Sequence, residues 1–490
     1  MNAPTPKFMI ESEWNGRIFA SGWRPADGGG LDVLEPATGA VLTHVGNANV
    51  SDVKKAAAEA RQAQAGWAAT PYEQRAAIMR KAAALLEENQ QELIYWIMRE
   101  TGGIEPKAGF EIHMVSNIIH RAASMVTEPQ GLLLPTDPGR MSMARRVPRG
   151  VIGVISPFNF PLILSARAVA PALAVGNAVV LKPDPRTVLS GGFILARIFE
   201  EAGLPKGVLQ VLPGGADVGE AMCSDPNIAM ISFTGSSHAG RKVGEVAGRN
   251  LKKVQLELGG KNVVIVLEDA DLDSTASAIA FGAWFHQGQI CMTTGTILAH
   301  EKIAAALTEK LVAKAEHLPV GDPTTKQVAL GPVINQGQVS RIDSIVKDTV
   351  AAGATVAAGG TFEGPFYRPT VLTGIKPDMR AFREEVFGPV ASIVTFSTDD
   401  EAVALANANE YGLSAGVFSA SIGRALAVGN RLQTGLLHIN DQTVADEPHV
   451  PFGGNGASGN GTRIGGPANW EEFTQWQWVT IKDKAGPYPF

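Results

Sequence analysis

The chain predicts an α/β fold of two doubly wound parallel-sheet domains with a small additional β element. Three observations carry that prediction. At 490 residues the chain exceeds what one ordinary core holds and suggests about two to four domains. From Gly150 onward short apolar runs alternate with helical stretches, and after Gly260 the alternation starts again. Strands so spaced read as parallel and buried on both faces. Two extended amphipathic segments, 141–147 and 474–481, belong to neither series.

Taken in order, Ser51-Asp52 caps a helix running through Ala65, Pro71 opens a longer one, and a third spans 105–125 before the break Glu128-Pro129-Gln130-Gly131. The first alternating series has strands at 151–155, 178–181, 208–212, 229–233 and 254–256, with helices near 165–175, 187–202, 216–223 and 239–247. Ligands of such sheets bind at the carboxyl ends of the strands. The loops there hold Asn159, Lys182, Pro213-Gly214-Gly215 and Thr234-Gly235-Ser236. The second series has strands at 263–267, 295–299, 391–396, 415–418 and 435–439, with helices near 272–286, 302–316, 340–351 and 400–409. Cys291 then falls in a turn between a helix and a strand, and a site built on it lies between two domains. Trp476 and Trp478 share one face of the last extended segment, and such edges want covering.

Hydrophobic content of 45% and charged content of 18% suit a soluble, packed enzyme rather than a disordered chain. A net charge of −6 with dispersed basic residues argues against nucleic acid, and the Ala144-Arg145-Arg146-Val147-Pro148-Arg149 cluster reads as a solvated strand face. Cys223 and Cys291 are the only cysteines, so a disulfide framework is excluded and a reducing compartment expected. The polar N-terminus, 1–14, has no signal-peptide pattern, and no apolar run is long enough for a membrane span. The expected location is cytoplasmic.

The chemistry lies in three motifs. Cys291 stands in Phe285-His286-Gln287-Gly288-Gln289-Ile290-Cys291-Met292-Thr293, and Glu257-Leu258-Gly259-Gly260 begins 34 residues earlier. Upstream is Pro157-Phe158-Asn159-Phe160-Pro161-Leu162. A thiol, a carboxylate and a carboxamide are what is needed to attack a carbonyl, hold its oxyanion and hydrolyse the resulting thioester. Cys223, beside Met222 at a helix end, reads instead as a small buried hydrophobe. Glu257 lies between Leu256 and Leu258, where desolvation favours the neutral carboxyl; the plainer role is pairing with Lys252, Lys253 or Lys261. A loop asparagine ordinarily just caps a turn. Gly235-Ser236-Ser237-His238-Ala239-Gly240 is not a GxGxxG fingerprint, but it follows a strand and opens a helix, as a phosphate-facing turn does.

In type and order these motifs resemble the active-site motifs of the aldehyde dehydrogenase superfamily, across essentially the whole chain. The resemblance implies a discontinuous dinucleotide-binding domain at 1–127 and 149–256, and a catalytic domain at 257–450. Oligomerisation strands at 128–148 and 470–490 would assemble a homodimer or homotetramer. It implies Cys291 as nucleophile, Asn159 with the Cys291 N–H as oxyanion donors, and Glu257 as the group that activates water; Glu257 argues against a CoA-acylating member. It implies NAD as cofactor and no metal. Ser236 would lie towards the pyrophosphate, Lys182 on the adenosine ribose, and Glu385, in Glu384-Glu385-Val386-Phe387-Gly388-Pro389, on the nicotinamide ribose. Phe387 would pack near the nicotinamide, with Ser156, Phe158, Gly235 and Gly240 also on the cofactor side. One departure stands out: the glutamate that many NAD-preferring members carry three residues after the lysine is Pro185 here, with Arg186 beside it, so measurable NADP use is expected.

The segments Leu437-His438-Ile439-Asn440-Asp441-Gln442, Glu447-Pro448-His449-Val450-Pro451-Phe452-Gly453-Gly454 and Tyr488-Pro489-Phe490 look most like the benzaldehyde/vanillin-type branch. Phe158, Phe285 and Phe452 match its aldehyde tunnel, and aromatic walls suit a flat ring. The alternatives are an aliphatic or semialdehyde dehydrogenase, for which Arg167 is the one candidate to hold a distal carboxylate, and a cofactor-independent thiol esterase. The esterase leaves Lys182, Glu385 and the Gly235 turn unexplained. A non-catalytic structural member would have lost one of Cys291, Glu257 and Asn159.

Overall fold

The computed structural model describes residues 7–490; residues 1–6, at the start of the segment assigned to the first domain and of the polar N-terminus, lie outside the described residues. The first sheet has seven strands in the order Lys253–Glu257, Ile228–Thr234, Val151–Ile155, Ala178–Lys182, Leu209–Val211, Arg17–Ala20, Trp23–Pro25. The strands drawn from 151–257 run parallel. Arg17–Ala20 and Trp23–Pro25 add an antiparallel edge, so the sheet is mixed where the sequence predicts a parallel one. The two edge strands are joined by a tight turn with Ser21 and Gly22 at φ 55° and 118°, a connection only antiparallel strands can use. Chain order reverses between Val151–Ile155 and Ile228–Thr234, the place where such sheets bind ligands.

Alternation along these strands fills both faces. Val151, Ile155, Ala178 and Val180 belong to one apolar cluster, and Ile152, Val154, Val179 and Leu181 to another. The second sheet follows the same rule, in the order Thr355–Ala358, Thr370–Thr373, Val390–Phe396, Thr294–His300, Asn262–Val266, Ser414–Phe418, Leu436–Ile439. All its pairings are parallel except that of the edge strand Thr355–Ala358.

Several helices start or stop elsewhere than expected. Val50–Ala69 is capped by Asn49, not by Ser51-Asp52: the Asn49 side chain accepts from Ser51 N and Asp52 N, while the Asp52 carboxylate accepts from Asn49 N. Gln90–Thr101 is an additional helix, ended by Gly102 in the left-handed region at φ 68°. The expected helix 187–202 opens as a π-turn, Leu189–Phe193, whose first amides donate to the buried Glu100 carboxylate, before the α-helix Ile194–Ala202. The helix leading to Cys291 ends at Trp284, and the 3₁₀ turn Phe285–Gly288 follows.

The two extended segments meet. Thr474–Lys482 pairs antiparallel with Arg140–Pro148 over nine residues, and Gly131–Leu133 pairs on the other side. Leu133, Met141, Trp476, Trp478 and Ile481 remain exposed. The basic cluster 144–149 is not the freely solvated face expected. Arg146 donates to Trp470 O at 3.1 Å, pairs with Glu471 and covers the Trp476 ring at 4.1 Å, while Arg149 donates to Glu472 O. Among the described residues no helix is long and apolar enough to cross a membrane.

Candidate active site

A cavity of about 1050 Å³ is lined by residues of both sheet regions. The loop after Val151–Ile155 supplies Ser156, Phe158 and Asn159; Ala178–Lys182 ends on Lys182; the turn after Ile228–Thr234 supplies Gly235 and Ser236. The second region contributes Cys291, Glu385 and Phe387. Gly240, Glu257, Phe285 and Phe452, all expected at the site, do not line this cavity. Gly240 is buried in helix Ser237–Arg249, where a Cβ would come within 2.3 Å of Leu258 Cδ2, so its bareness serves helix packing. Phe452 lies with Phe160, Ile290 and Met292 in the apolar cluster against which Phe285 and Cys291 pack.

Glu257 ends its strand almost fully buried. Its Oε1 meets only Gln255 Nε2, at 3.4 Å, and its Oε2 has no partner. None of the neighbouring lysines pairs with it: Lys252 donates to Asp225 O and Ile228 O, Lys253 reaches Glu472, and Lys261 donates to Gly295 O. Burial pushes the Glu257 carboxyl up to about 8, against the opposing pull of Arg167 and Arg463. Burial also pushes the Cys291 thiol up to about 12, helped by the charges of Glu385 and Glu257 and opposed by Arg167. A thiol so held is protonated at neutral pH and must lose its proton as it attacks. The Glu257 carboxyl, raised by burial to about 8, exchanges its proton close to neutrality, as a general base must.

Asn159 is buried, and its carboxamide has no hydrogen-bond partner among the described residues, so it is free for a ligand. Its backbone is braced from behind. The Glu111 carboxylate accepts from Leu162 N at 3.0 Å and Ile163 N at 3.4 Å, at the start of helix Pro161–Ala174. Lys107, fully buried and paired with Glu111, lies 4.7 Å from the Phe160 ring centroid.

The remaining donors suit a dinucleotide. The Lys182 ammonium reaches only Pro183 O, at 3.3 Å, and is otherwise free in the cavity wall. Ser236 caps the 13-residue helix Ser237–Arg249, whose start faces the cavity. The Glu385 carboxylate accepts from Gly260 N at 3.0 Å, and a Cβ on Gly259 would collide with it at 2.4 Å. An ammonium, an open helix start and a carboxylate are the groups that hold ribose hydroxyls and a pyrophosphate. Arg186 is not free for a 2′-phosphate as expected: Asp184 accepts from its Nε and Nη2 at 2.7 Å each, and its guanidinium lies 4.1 Å over the Phe158 ring. Phe158 in turn meets Phe387 edge-on at 5.8 Å, with Phe387 held at φ 53°.

Arg167 is bonded to Asp446. Sequence reasoning missed that partner, which lies 279 residues away in a loop without pattern. An arginine in the otherwise apolar helix Pro161–Ala174 was itself the signal that a buried carboxylate must exist.

The profile of the aldehyde dehydrogenase family matches residues 23–479. The chain belongs to that family. It is 54% identical to a vanillin dehydrogenase of Amycolatopsis sp., over 99% of this chain and 100% of that one. It is 51% identical to a benzaldehyde dehydrogenase [NAD(+)] of Pseudomonas putida, over 97% of this chain and 98% of that one. The crystal structure of a salicylaldehyde dehydrogenase from Pseudomonas putida G7 complexed with salicylaldehyde superposes with a TM-score of 0.93 at 37% identity, covering 97% of this chain and 99% of the other.

Proposed function

We propose that this protein oxidises aromatic aldehydes of the benzaldehyde and vanillin type to carboxylic acids, with NAD as cofactor, through a thioester on Cys291. One observation carries the reading: Cys291 sits where a dinucleotide-sized cavity meets an apolar cluster holding Phe160 and Phe452, with Phe285 packed against it. Relatives that match nearly end to end act on vanillin and benzaldehyde, which supports a flat ring in that cluster.

Bound in the cavity, NAD supplies the acceptor for the aldehyde hydrogen. Everything else falls to the chain. Lys182, Ser236 and Glu385 would hold the cofactor, with Phe158 and Phe387 in the wall beside it. The Cys291 thiol gives up its proton to solvent water as its sulfur adds to the carbonyl carbon, and Asn159 with the Cys291 N–H donates to the alkoxide that forms. Losing one such donor typically costs about 10²–10³ in rate. Once the thioester has formed, Glu257 takes a proton from water, which attacks the carbonyl and releases the acid. The esterase alternative leaves a cavity of dinucleotide size and its free ammonium without purpose. The semialdehyde alternative loses its anchor, because Arg167 is already neutralised by Asp446.

On the same reading, residues 149–256 with 1–127 bind the dinucleotide, residues 257–450 carry the nucleophile, and the strands at 128–148 and 470–490 join copies of the chain into a homodimer or homotetramer. The exposed Trp478, Met141 and Ile481 support that assembly. Two unpaired cysteines support a reducing, cytoplasmic setting.

The test is nicotinamide reduction followed by absorbance, with NAD and NADP separately, against benzaldehyde, vanillin, hexanal and succinic semialdehyde. Preference for the aromatic pair with NAD supports the reading. Faster turnover of hexanal or the semialdehyde overturns the substrate class.

A further inference from the structure

The turn that carries the nucleophile is closed by Thr293 N donating to Ile290 O at 2.9 Å. Every carbonyl along it has a donor. Thr293 Oγ1 donates to Gly288 O at 2.9 Å, Asn262 Nδ2 donates to both Cys291 O at 2.8 Å and Thr293 O at 2.9 Å, and Thr443 Oγ1 donates to Met292 O at 2.6 Å. The two donors are themselves fixed. Asn262 Oδ1 accepts from Ser414 N at 3.0 Å, Thr294 Oγ1 lies 2.8 Å from Thr443 Oγ1, and Asn262 and Thr443 are both buried. Gly260 makes the approach feasible, since a Cβ there would stand 2.5 Å from Cys291 O and 2.7 Å from Asn262 Oδ1. With the carbonyls all engaged, the Cys291 N–H has no backbone acceptor among the described residues.

The central peptide of a four-residue turn is the one that can rotate with least disturbance of its neighbours, because the two common turn types differ mainly in that peptide's orientation. Here that peptide is Cys291–Met292, and Asn262 holds its carbonyl. We infer that Asn262, seconded by Thr443, is a positioning residue for the reaction: by holding the carbonyls of Cys291 and Thr293 it fixes the shape of the Ile290–Thr293 turn, and so the Ile290–Cys291 peptide, pinned by Thr293 N on Ile290 O, presents the Cys291 N–H to the substrate oxyanion. Asn262 touches neither substrate nor cofactor in this role. A buried carboxamide with both its donors on this turn is well suited to it, because an aspartate would set oxygens against the same carbonyls.

This inference rests on the proposed aldehyde oxidation, and its test separates the two. Two rates are measured on native protein, Asn262→Asp, Thr443→Val and Thr443→Ser, each checked for a native melting transition. One is kcat for benzaldehyde with NAD. The other is alkylation of Cys291 by iodoacetamide, a displacement at carbon in which the thiolate expels iodide and no oxyanion forms. The inference expects kcat to fall about 10²-fold in Asn262→Asp, by the magnitude of one oxyanion donor, and less in Thr443→Val. Thr443→Ser should keep native kcat, and alkylation should stay within about threefold of native throughout, since no oxyanion forms. If Asn262→Asp does not fold, the Thr443 pair decides alone. Unchanged kcat in the folded variants, or alkylation falling in step with kcat, overturns the inference. Native protein without aldehyde turnover overturns the functional reading instead.

Discussion

The guanidinium of Arg167 lies 4.2 Å from the centroid of the Phe452 ring and is bonded to Asp446. A cation stacked on an aromatic wall and neutralised by a carboxylate leaves the neighbouring apolar cluster with no free charge for a substrate carboxylate. The pair also acts at a distance, because Arg167 is the strongest influence holding the Glu257 carboxyl down against burial.

Replacing Arg167 with leucine should therefore move the alkaline ionisation in kcat/KM to higher pH, since the opposing cation is gone. Succinic semialdehyde should gain nothing from the native arginine. The pH profile with benzaldehyde and a single comparison of the two aldehydes check both points. A native enzyme that loses semialdehyde turnover selectively on Arg167→Leu would show that the arginine does recognise a carboxylate.

Glu257 gives a pH prediction for stability as well as rate. Its folded-state pKa, about 8, stands above that of an unfolded glutamate. The native state therefore binds the extra proton between the two values, and that contribution to stability is present at low pH and lost as pH rises through 8. One proton corresponds to a slope of about 1.4 kcal/mol per pH unit. Glu257→Gln should flatten the fall in melting temperature between pH 5 and 8. In native enzyme kcat should rise with pH through an ionisation near 8.

Asp184 and Arg186 set the cofactor prediction. Bonded at 2.7 Å on two nitrogens, Arg186 offers a 2′-phosphate a cation already paired, with a carboxylate beside it. Native protein should bind NAD more tightly than NADP by calorimetric titration. Asp184→Asn should improve NADP binding about tenfold, the scale of one charge interaction. An unchanged NADP affinity would show that the arginine never meets the 2′-position.

Lys107 and Glu111 form a fully buried pair behind Asn159. Removing one partner strands the other, which typically costs about 3–5 kcal/mol. Glu111→Ala should lower the melting temperature sharply, and Lys107→Met with Glu111→Leu should recover much of the loss. Chemical denaturation of the single and double variants measures the difference.

What the sequence made legible followed period and chemistry. The strands Val151–Ile155 and Ala178–Lys182 stood out because runs buried on both faces are apolar without interruption. Cys291 stood out as one of only two cysteines, and Glu257 and Asn159 because a polar side chain interrupts an apolar run close to glycine or proline. The misses have a common cause, which is contact between distant segments. The edge strands Arg17–Ala20 and Trp23–Pro25 are too short to show a period, and Asn49 outcompeted Ser51 as cap through one reciprocal bond with Asp52. Arg186 looked free because its neighbour Asp184 is invisible as a partner until the loop is folded. Asp446, Thr443 and Lys107 act across 150 residues or more or through burial alone, and nothing local marks them.

An aromatic aldehyde that becomes a thioester on Cys291, to be hydrolysed with the help of Glu257, should accumulate as that thioester when Glu257 is disabled. Trapping that intermediate tests this most directly: Glu257→Gln is mixed with benzaldehyde and NAD, quenched in acid, and its peptides are weighed by mass spectrometry. A benzoyl group on the Cys291 peptide, formed with one equivalent of reduced nicotinamide and absent from Cys291→Ala, is the result predicted. No adduct on Cys291, or full multiple turnover by Glu257→Gln, would contradict it.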